Sequence, residues 1–336
     1  TVTVIVEGSP FEVTTLRKDV ATDGRHAEVA YTEDWEADAS RRDFTINALY
    51  CDADGTLFDP LGGLADIRAR QVRFIGNPHD RIREDYLRIL RFFRFFAQYS
   101  SGTPEASALL ACVQERAGLR RLSGERVRQE FLKLANAPRA VDAIQAMQAH
   151  GLLTELLPVA PNPELFERII ACDSTGDAPL RLAALTIHVF EDAERIGMAL
   201  KLSNADRRIF TDFAVTWLNR APLPQAPKLR AQQYMRGEAN YRRHIMALWA
   251  CTQAAKDDAA YAAALAQPQQ WSPPTFPLSG SDVIALGIPS GPRIGEILAQ
   301  LEAEWISGDF GADRAALLAK LGDVIQQRTS TDTNGR

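Results

Sequence analysis

Apolar and polar positions alternate at the start of the chain. Val2, Val4 and Val6 recur at a spacing of two, Glu7-Gly8-Ser9-Pro10 follows as a turn, and a second strand-like run covers 11–16. That pattern predicts a β-hairpin. Residues 18–40 are polar, with Asp23-Gly24 and little periodicity. They are expected to form a long mobile loop with a short strand near 28–31. Two more strand-like runs, 44–50 and 56–58, flank Asp52-Ala53-Asp54-Gly55, a second hairpin signal. After Gly62-Gly63 the apolar spacing lengthens to three and four. Helices are predicted over 81–99, 106–117, 123–135 and 140–150, with Ser123 as an N-cap. They continue through 180–194, 206–218 and 241–252, with proline-rich breaks at 158–163, 222–227 and 271–277 before a C-terminal helical unit at 281–321. The polar tail after 326 is expected to be disordered. A small β part followed by helices predicts an α+β fold rather than a wound α/β sheet.

At 336 residues the chain is long enough for two to four domains. The 38 Lys and Arg against 43 Asp and Glu exclude a generally basic coat for nucleic acid, but not a local basic surface. No signal peptide and no apolar run long enough to span a membrane is present, so no membrane partner is expected. Cys51, Cys112, Cys172 and Cys251 are scattered. Reduced thiols in a cytoplasmic protein are the expectation, not a disulfide framework or a zinc site.

Three segments carry candidate chemistry. In Arg41-Arg42-Asp43-Phe-Thr-Ile-Asn47-Ala48, two arginines beside an aspartate enter a predicted strand. Arginine grips phosphate bidentately, Asp43 suits a ribose hydroxyl, and Asn47 adds a polar contact. A surface ion pair at a strand entry fits the same residues. In the run 83–96, helical spacing puts Ile89, Phe92, Phe93 and Phe96 on one face and Arg88, Arg91 and Arg94 on an opposite arc flanked by Asp85. Arginines on one arc repel unless something anionic lies across them. An aspartate near Arg88 makes a donor–acceptor pair able to read a base edge. An exposed helix laced with ion pairs is the plain alternative. Residues 67–94 hold eight arginines against three carboxylates within a chain of net charge −5, which favours an anion site. Arg126 and Arg128 lie on a basic helix, 120–133, that either supports the second segment, faces nucleic acid, or is simply solvated. Asp52-x-Asp54 has the spacing of a metal pair but reads as a hairpin turn, and His79-Asp80 reads as a loop.

Together these segments resemble the class II nucleotidyltransferases: the CCA-adding tRNA nucleotidyltransferases and the bacterial poly(A) polymerases. The motifs are Glu12-Val-Thr-Thr-Leu-Arg17, Thr22-Asp-Gly-Arg-His-Ala-Glu28, the 41–48 segment, Phe58-Asp-Pro-Leu-Gly-Gly63 and Glu84-Asp85-x-x-Arg88-x-x-Arg91. The resemblance is dense to about residue 133. Leu278-Ser-Gly-Ser-Asp282 and Gly291-Pro-Arg-Ile-Gly295 extend it to a CCA-type tail.

The resemblance implies a partial nucleotidyltransferase β-sheet head over 1–66. It also implies a helical neck over 67–144 carrying the base template, a helical body over 145–255 and an RNA-binding tail over 256–336. The implied activity is addition of CMP and AMP from CTP and ATP to the tRNA 3′ end, with Mg²⁺ assisting and pyrophosphate leaving. Arg42 and Asp43 are implied at the phosphate and sugar, Asp85 and Arg88 at the base, and Arg91 and Arg94 in support. Glu12 is implied as a supporting carboxylate, and Arg207, Arg208, Arg242 and Arg243 as candidates for RNA contact, a structural role being equally open. The family's glycine-rich phosphate loop and Asp-x-Asp metal pair lie upstream of the strand that begins at Thr1. The chain is therefore expected to hold no metal and not to catalyse addition as it stands. Poly(A) polymerase and a non-catalytic RNA-binding protein are the rival expectations. No protein partner is deducible.

Overall fold

The computed structural model describes residues 2–22, 27–252 and 254–333. Three antiparallel strand pairs open the chain: β1 (Val2–Val6) with β2 (Ser9–Val13), β3 (Arg17–Thr22) with β4 (Ala27–Tyr31), and β5 (Tyr50–Cys51) with β6 (Leu57–Phe58). The first hairpin turns at Glu7 and Gly8, both at positive φ, which matches the right-handed twist of the flanking strands. Val6 pairs with Ser9, so Pro10 opposite Ile5 falls where the ladder does not use its missing N–H.

The strand expected near 28–31 is β4, but the rest of 18–40 is not the expected loop. Apart from residues 23–26, outside the described residues, the segment forms β3, β4 and a short helix α1 (Trp35–Ser40). The side chain of Asp34 caps α1 by accepting the amides of Glu36 and Ala37. The 44–50 run is not a strand either. Phe44 makes a single bridge to Phe74, residues Thr45–Asn47 form a 3₁₀ turn, and only Tyr50–Cys51 is extended. Asp52 and Asp54 do close the β5–β6 turn, Asp54 accepting the amide of Thr56.

Helices follow: α2 (Gly63–Arg68), α3 (Pro78–Glu84), α4 (Leu87–Tyr99), α5 (Ala106–Gln114), α6 (Gly124–Ala135), α7 (Ala140–Ala149) and α8 (Leu153–Leu156). Then come α9 (Pro163–Cys172), α10 (Ala178–Thr186), α11 (Asp192–Ala199) and α12 (Asn204–Asn219). The architecture is α+β, mostly helical, with a small β part at the start. His79 sits in the first turn of α3 rather than in a loop, because Pro78 and the Asn77 cap start a helix there. Ser123 holds the N-cap position of α6 but makes no capping hydrogen bond.

The chain divides into two compact units, Thr1–Asn219 and Arg220–Arg336. In the first, α4 is the central helix. Ile89, Leu90, Phe92 and Phe93 are fully buried, and α4 packs on α6 and α7. Phe44 joins this core, its ring 4.8 Å from Phe74 and 5.3 Å from Phe95. Its burial fixes the 41–48 segment against α4.

The second unit contains α13 (Ala226–Arg236), α14 (Glu238–Cys251), α15 (Ala259–Gln270), α16 (Gly280–Ala285), α17 (Pro292–Ser307) and α18 (Arg314–Thr333). One of its cores holds Leu278, Val283, Ile297, Leu301, Trp305, Leu317 and Leu321. The tail expected to be disordered after 326 continues as helix to Thr333.

Candidate functional site

Segments far apart in sequence meet in one cleft of about 450 Å³, lined by Arg42, Asp43, Asn47, Asp85, Leu87, Arg88, Arg91, Phe95 and Arg126. Of the seven residues read as nucleotide contacts, all but Arg94 line it.

The 41–48 segment supplies one wall. Asp43 is buried. One of its oxygens accepts the Asn47 side-chain amide at 2.9 Å and the Phe44 amide at 3.0 Å. The other accepts Arg91 Nε at 2.5 Å. Burial alone pushes the carboxyl up, but the charge and hydrogen bond of Arg91, with Asn47 and the Phe44 amide, outweigh it and lower the Asp43 pKa. Asp43 is therefore an anion, held as a fixed acceptor. Arg42 donates to the Asn47 carbonyl at 3.1 Å and to Asp38, and its guanidinium lies 5.3 Å from the centre of the Tyr50 ring.

The other wall comes from a break in what the sequence predicts as one helix over 81–99. Asp85 is extended (φ −156°, ψ 106°), ending α3, and α4 begins at Leu87. Its carboxylate explains the break. Oδ1 accepts the Leu87 amide at 3.1 Å, satisfying a donor at the start of α4, and the Asp85 carbonyl accepts the Arg88 amide. Oδ2 accepts Arg126 Nη2 from α6 at 2.6 Å. Asp85 thus projects from a joint rather than from the helix face the periodicity implied. Close approach of the joint to the 3₁₀ turn Arg116–Arg121 requires Gly118, where a Cβ would lie 2.0 Å from the Tyr86 ring.

The arginine arc does find anions across it, and the protein supplies them. Arg88 pairs with Glu84 at 2.5 Å and donates to the Arg81 carbonyl at 2.7 Å. Arg91 pairs with Asp43, and Arg94 with the buried Glu130 of α6 at 2.5 Å. Arg94 also lies 4.0 Å from the centre of the Phe95 ring. It stands behind the cleft wall instead of lining it, because Glu130 and Phe95 hold it there.

The remaining expected residues lie elsewhere. Glu12 is exposed on β2, opposite Thr3. Arg126 lines the cleft, whereas Arg128 donates to the Lys201 carbonyl. Arg207 donates to the carbonyls of Gly197 and Leu202, and Arg242 to Glu238 and the Leu265 carbonyl. Arg243 donates to Asn240, and Arg208 is exposed on α12. Among the described residues no three His, Cys, Asp or Glu side chains converge to hold a metal.

Several residues at the site carry no signal that the sequence reading used. Asp38 and Tyr50 brace Arg42, Glu130 answers Arg94, and Phe95 completes the wall, whereas Glu84, which pairs with Arg88, belongs to the 84–91 motif already read. The spacing of Asp38 to Arg41 and Arg42, three and four residues, is the one visible clue, and only once 35–40 is known to be helical.

Comparison with known proteins gives the chain's relatives. Residues 1–73 match the family model "Poly A polymerase head domain" and 103–162 match "Probable RNA and SrmB- binding site of polymerase A". The mitochondrial CCA tRNA nucleotidyltransferase 1 of Mus musculus is 35% identical over 325 residues, 95% of this chain and 74% of that protein. The Homo sapiens counterpart is 34% identical over the same shares. A CCA-adding enzyme of Levilactobacillus brevis is 28% identical over 96% of this chain and 82% of its own length. In fold, the chain is similar to the Bacillus stearothermophilus CCA-adding enzyme solved in complex with CTP. The TM-score is 0.70, at 24% identity, over 98% of this chain and 82% of that one. The Thermotoga maritima CCA-adding enzyme complexed with tRNA gives a TM-score of 0.59 at 19% identity, over 87% of this chain and 74% of that one.

Proposed function

The chain belongs to the class II CCA-adding tRNA nucleotidyltransferases, and from that premise we propose that its cleft takes CTP and ATP and reads their bases with Asp85 and Arg88. One observation carries the reading: Arg42, Asp43 and Asn47 share a single cleft with Asp85 and Arg88.

The chemistry of the two bases explains why one pair of side chains serves both. Cytosine and adenine each present an exocyclic amine beside an unprotonated ring nitrogen. Asp85 accepts from the amine and Arg88 donates to the ring nitrogen. Uracil and guanine present the reverse pattern at that edge and are refused. Asp85 has the capacity, since each carboxylate oxygen accepts two hydrogen bonds and each has one partner here. Arg42 faces the triphosphate, and Asp43, kept ionised, accepts from the ribose. Arg91 holds Asp43, and Arg94 supports the wall from behind.

In the reaction of this family the tRNA 3′ hydroxyl attacks the α-phosphate and pyrophosphate leaves. These residues orient the nucleotide for that attack. Mg²⁺ enters the reading as the ion the triphosphate brings with it. No step is assigned through it, nor through Glu12. We divide the chain into head, neck, body and tail at 1–66, 67–144, 145–255 and 256–336. The boundary of the compact units at Asn219–Arg220 falls inside the proposed body. The tRNA is held by body and tail, with the exposed Arg208 a clearer candidate for a phosphate contact than Arg207, which is committed to backbone carbonyls. A cytoplasmic location rests on the free thiols of Cys51, Cys112, Cys172 and Cys251.

Competition between labelled CTP and unlabelled ATP tests the reading. Mutual displacement from one site is expected. Simultaneous binding of both, or binding of neither, overturns it. Poly(A) polymerase, the rival reading, separates by product on tRNA in an enzyme that carries the family's phosphate loop and Asp-x-Asp pair: a long A tract instead of a short fixed addition.

A further inference from the structure

We propose that Asp38 is a positioning residue that aims Arg42 at the triphosphate, so that a carboxylate outside the cleft sets the cleft's affinity for phosphate. The inference rests on the reading that Arg42 meets the triphosphate, and its test is built to fail separately from that reading.

Asp38 lies in the last turn of α1 and is 1% exposed. It does not line the cleft. Its two oxygens divide the neighbouring arginines between them. Oδ1 accepts Arg41 Nε at 2.8 Å and Nη2 at 2.6 Å, and the Arg17 amide at 3.2 Å. Oδ2 accepts Arg42 Nη2 at 3.0 Å and Nε at 3.3 Å, and the Tyr50 hydroxyl at 2.7 Å. One carboxylate therefore turns Arg41 back toward the Arg17 carbonyl, 2.9 Å away, and holds Arg42 on the cleft wall.

Counting donors shows what this does. A guanidinium has five N–H groups. Arg42 gives one from Nε and one from Nη2 to Asp38, and one from Nη1 to the Asn47 carbonyl. One N–H on each terminal nitrogen lies outside these three bonds, with the Tyr50 hydroxyl close by. A phosphate taken by that pair meets an end-on fork of two hydrogen bonds. The Tyr50 ring beside the guanidinium and the Tyr50 hydroxyl on Asp38 brace the same unit. The fork is thus set before the ligand arrives, which removes the cost of ordering a long side chain on binding. Two arginines answered by one carboxylate also leave the turn with surplus positive charge.

Asp38→Asn keeps the shape but removes the charge, and its amide turns a donor toward one of the two arginines. The probes are CTP, tripolyphosphate and cytidine, titrated against the full chain. The expected result is CTP and tripolyphosphate binding weakened about tenfold or more, with cytidine binding unchanged. Unchanged CTP binding overturns the proposal. Equal weakening of cytidine also overturns it, because a general loss of structure acts on all three probes. Failure of the wild-type chain to bind CTP removes the underlying reading instead. If Asp38→Asn does not fold, Tyr50→Phe carries the test. It deletes one hydrogen bond to Asp38 and keeps the ring, and CTP binding is expected to weaken a few-fold with cytidine unaffected. Unchanged CTP binding in Tyr50→Phe overturns the proposal as well.

Discussion

Buried carboxylates decide the behaviour of this site at the scale of single residues. Burial alone would raise the Asp38 carboxyl. The hydrogen bonds from Tyr50, Arg41, the Arg17 amide and Arg42 outweigh it and bring the pKa from 3.8 to about 2. A carboxyl lowered in the folded state adds stability above its unfolded pKa, and that stability is lost as pH falls through the folded pKa. Asp38 therefore contributes about 2 kcal/mol that disappears between pH 3.8 and about 2. Denaturant unfolding at stepped pH checks this: the acid limb of the Asp38→Asn variant is expected to be flatter than that of the wild type by about that amount. The same carboxylates mark the limit of what the sequence made legible. Asp43 and Asp85 stand out because each sits beside arginines within a recognisable motif. Asp38, in the run Trp-Glu-Ala-Asp-Ala-Ser, has Arg41 and Arg42 three and four residues on, but only a helix brings them onto it, and Glu130, on a mixed basic helix, reads as a solvated acid. Their importance is created by burial, which a local reading does not contain.

Elements were legible where the apolar period was long. The four-residue set Ile89, Phe92, Phe93 and Phe96 is buried together, as its spacing implied. Short elements were not legible. α1 spans six residues with no apolar stripe, and its start depends on the Asp34 cap. The break between α3 and α4 is hidden because 81–99 keeps its helical spacing on both sides, while Asp85 takes the Leu87 amide with its side chain. That joint is held from outside by Gly118, against which the Tyr86 ring lies. Gly118→Ala places a methyl in the ring, so the joint must shift. A loss of about 1–3 kcal/mol is expected in equilibrium unfolding. An unchanged unfolding midpoint would show that the joint accommodates the methyl without cost.

Over the whole molecule, charge is organised by pairing more than by excess. The arginine-rich run 67–94 sits in a chain of net charge −5, and in the fold its cleft-side members are matched by Glu84, Asp43 and Glu130. At the Arg41–Arg42 turn Asp38 answers two cations, which leaves a local surplus there. The order of β part and helices was visible in the change of period after Gly63. The two compact units were not, because a proline-rich stretch reads alike whether it links units or joins helices within one. The account's central claim is that Asp85 and Arg88 select the base. Equilibrium binding of CTP, ATP, UTP and GTP to the wild-type chain and to Arg88→Ala, with tripolyphosphate as a base-free control, tests it most directly. The account predicts that the wild type prefers CTP and ATP, and that Arg88→Ala loses about tenfold or more of that preference while tripolyphosphate binding holds. An Arg88→Ala variant that keeps the full preference would contradict it.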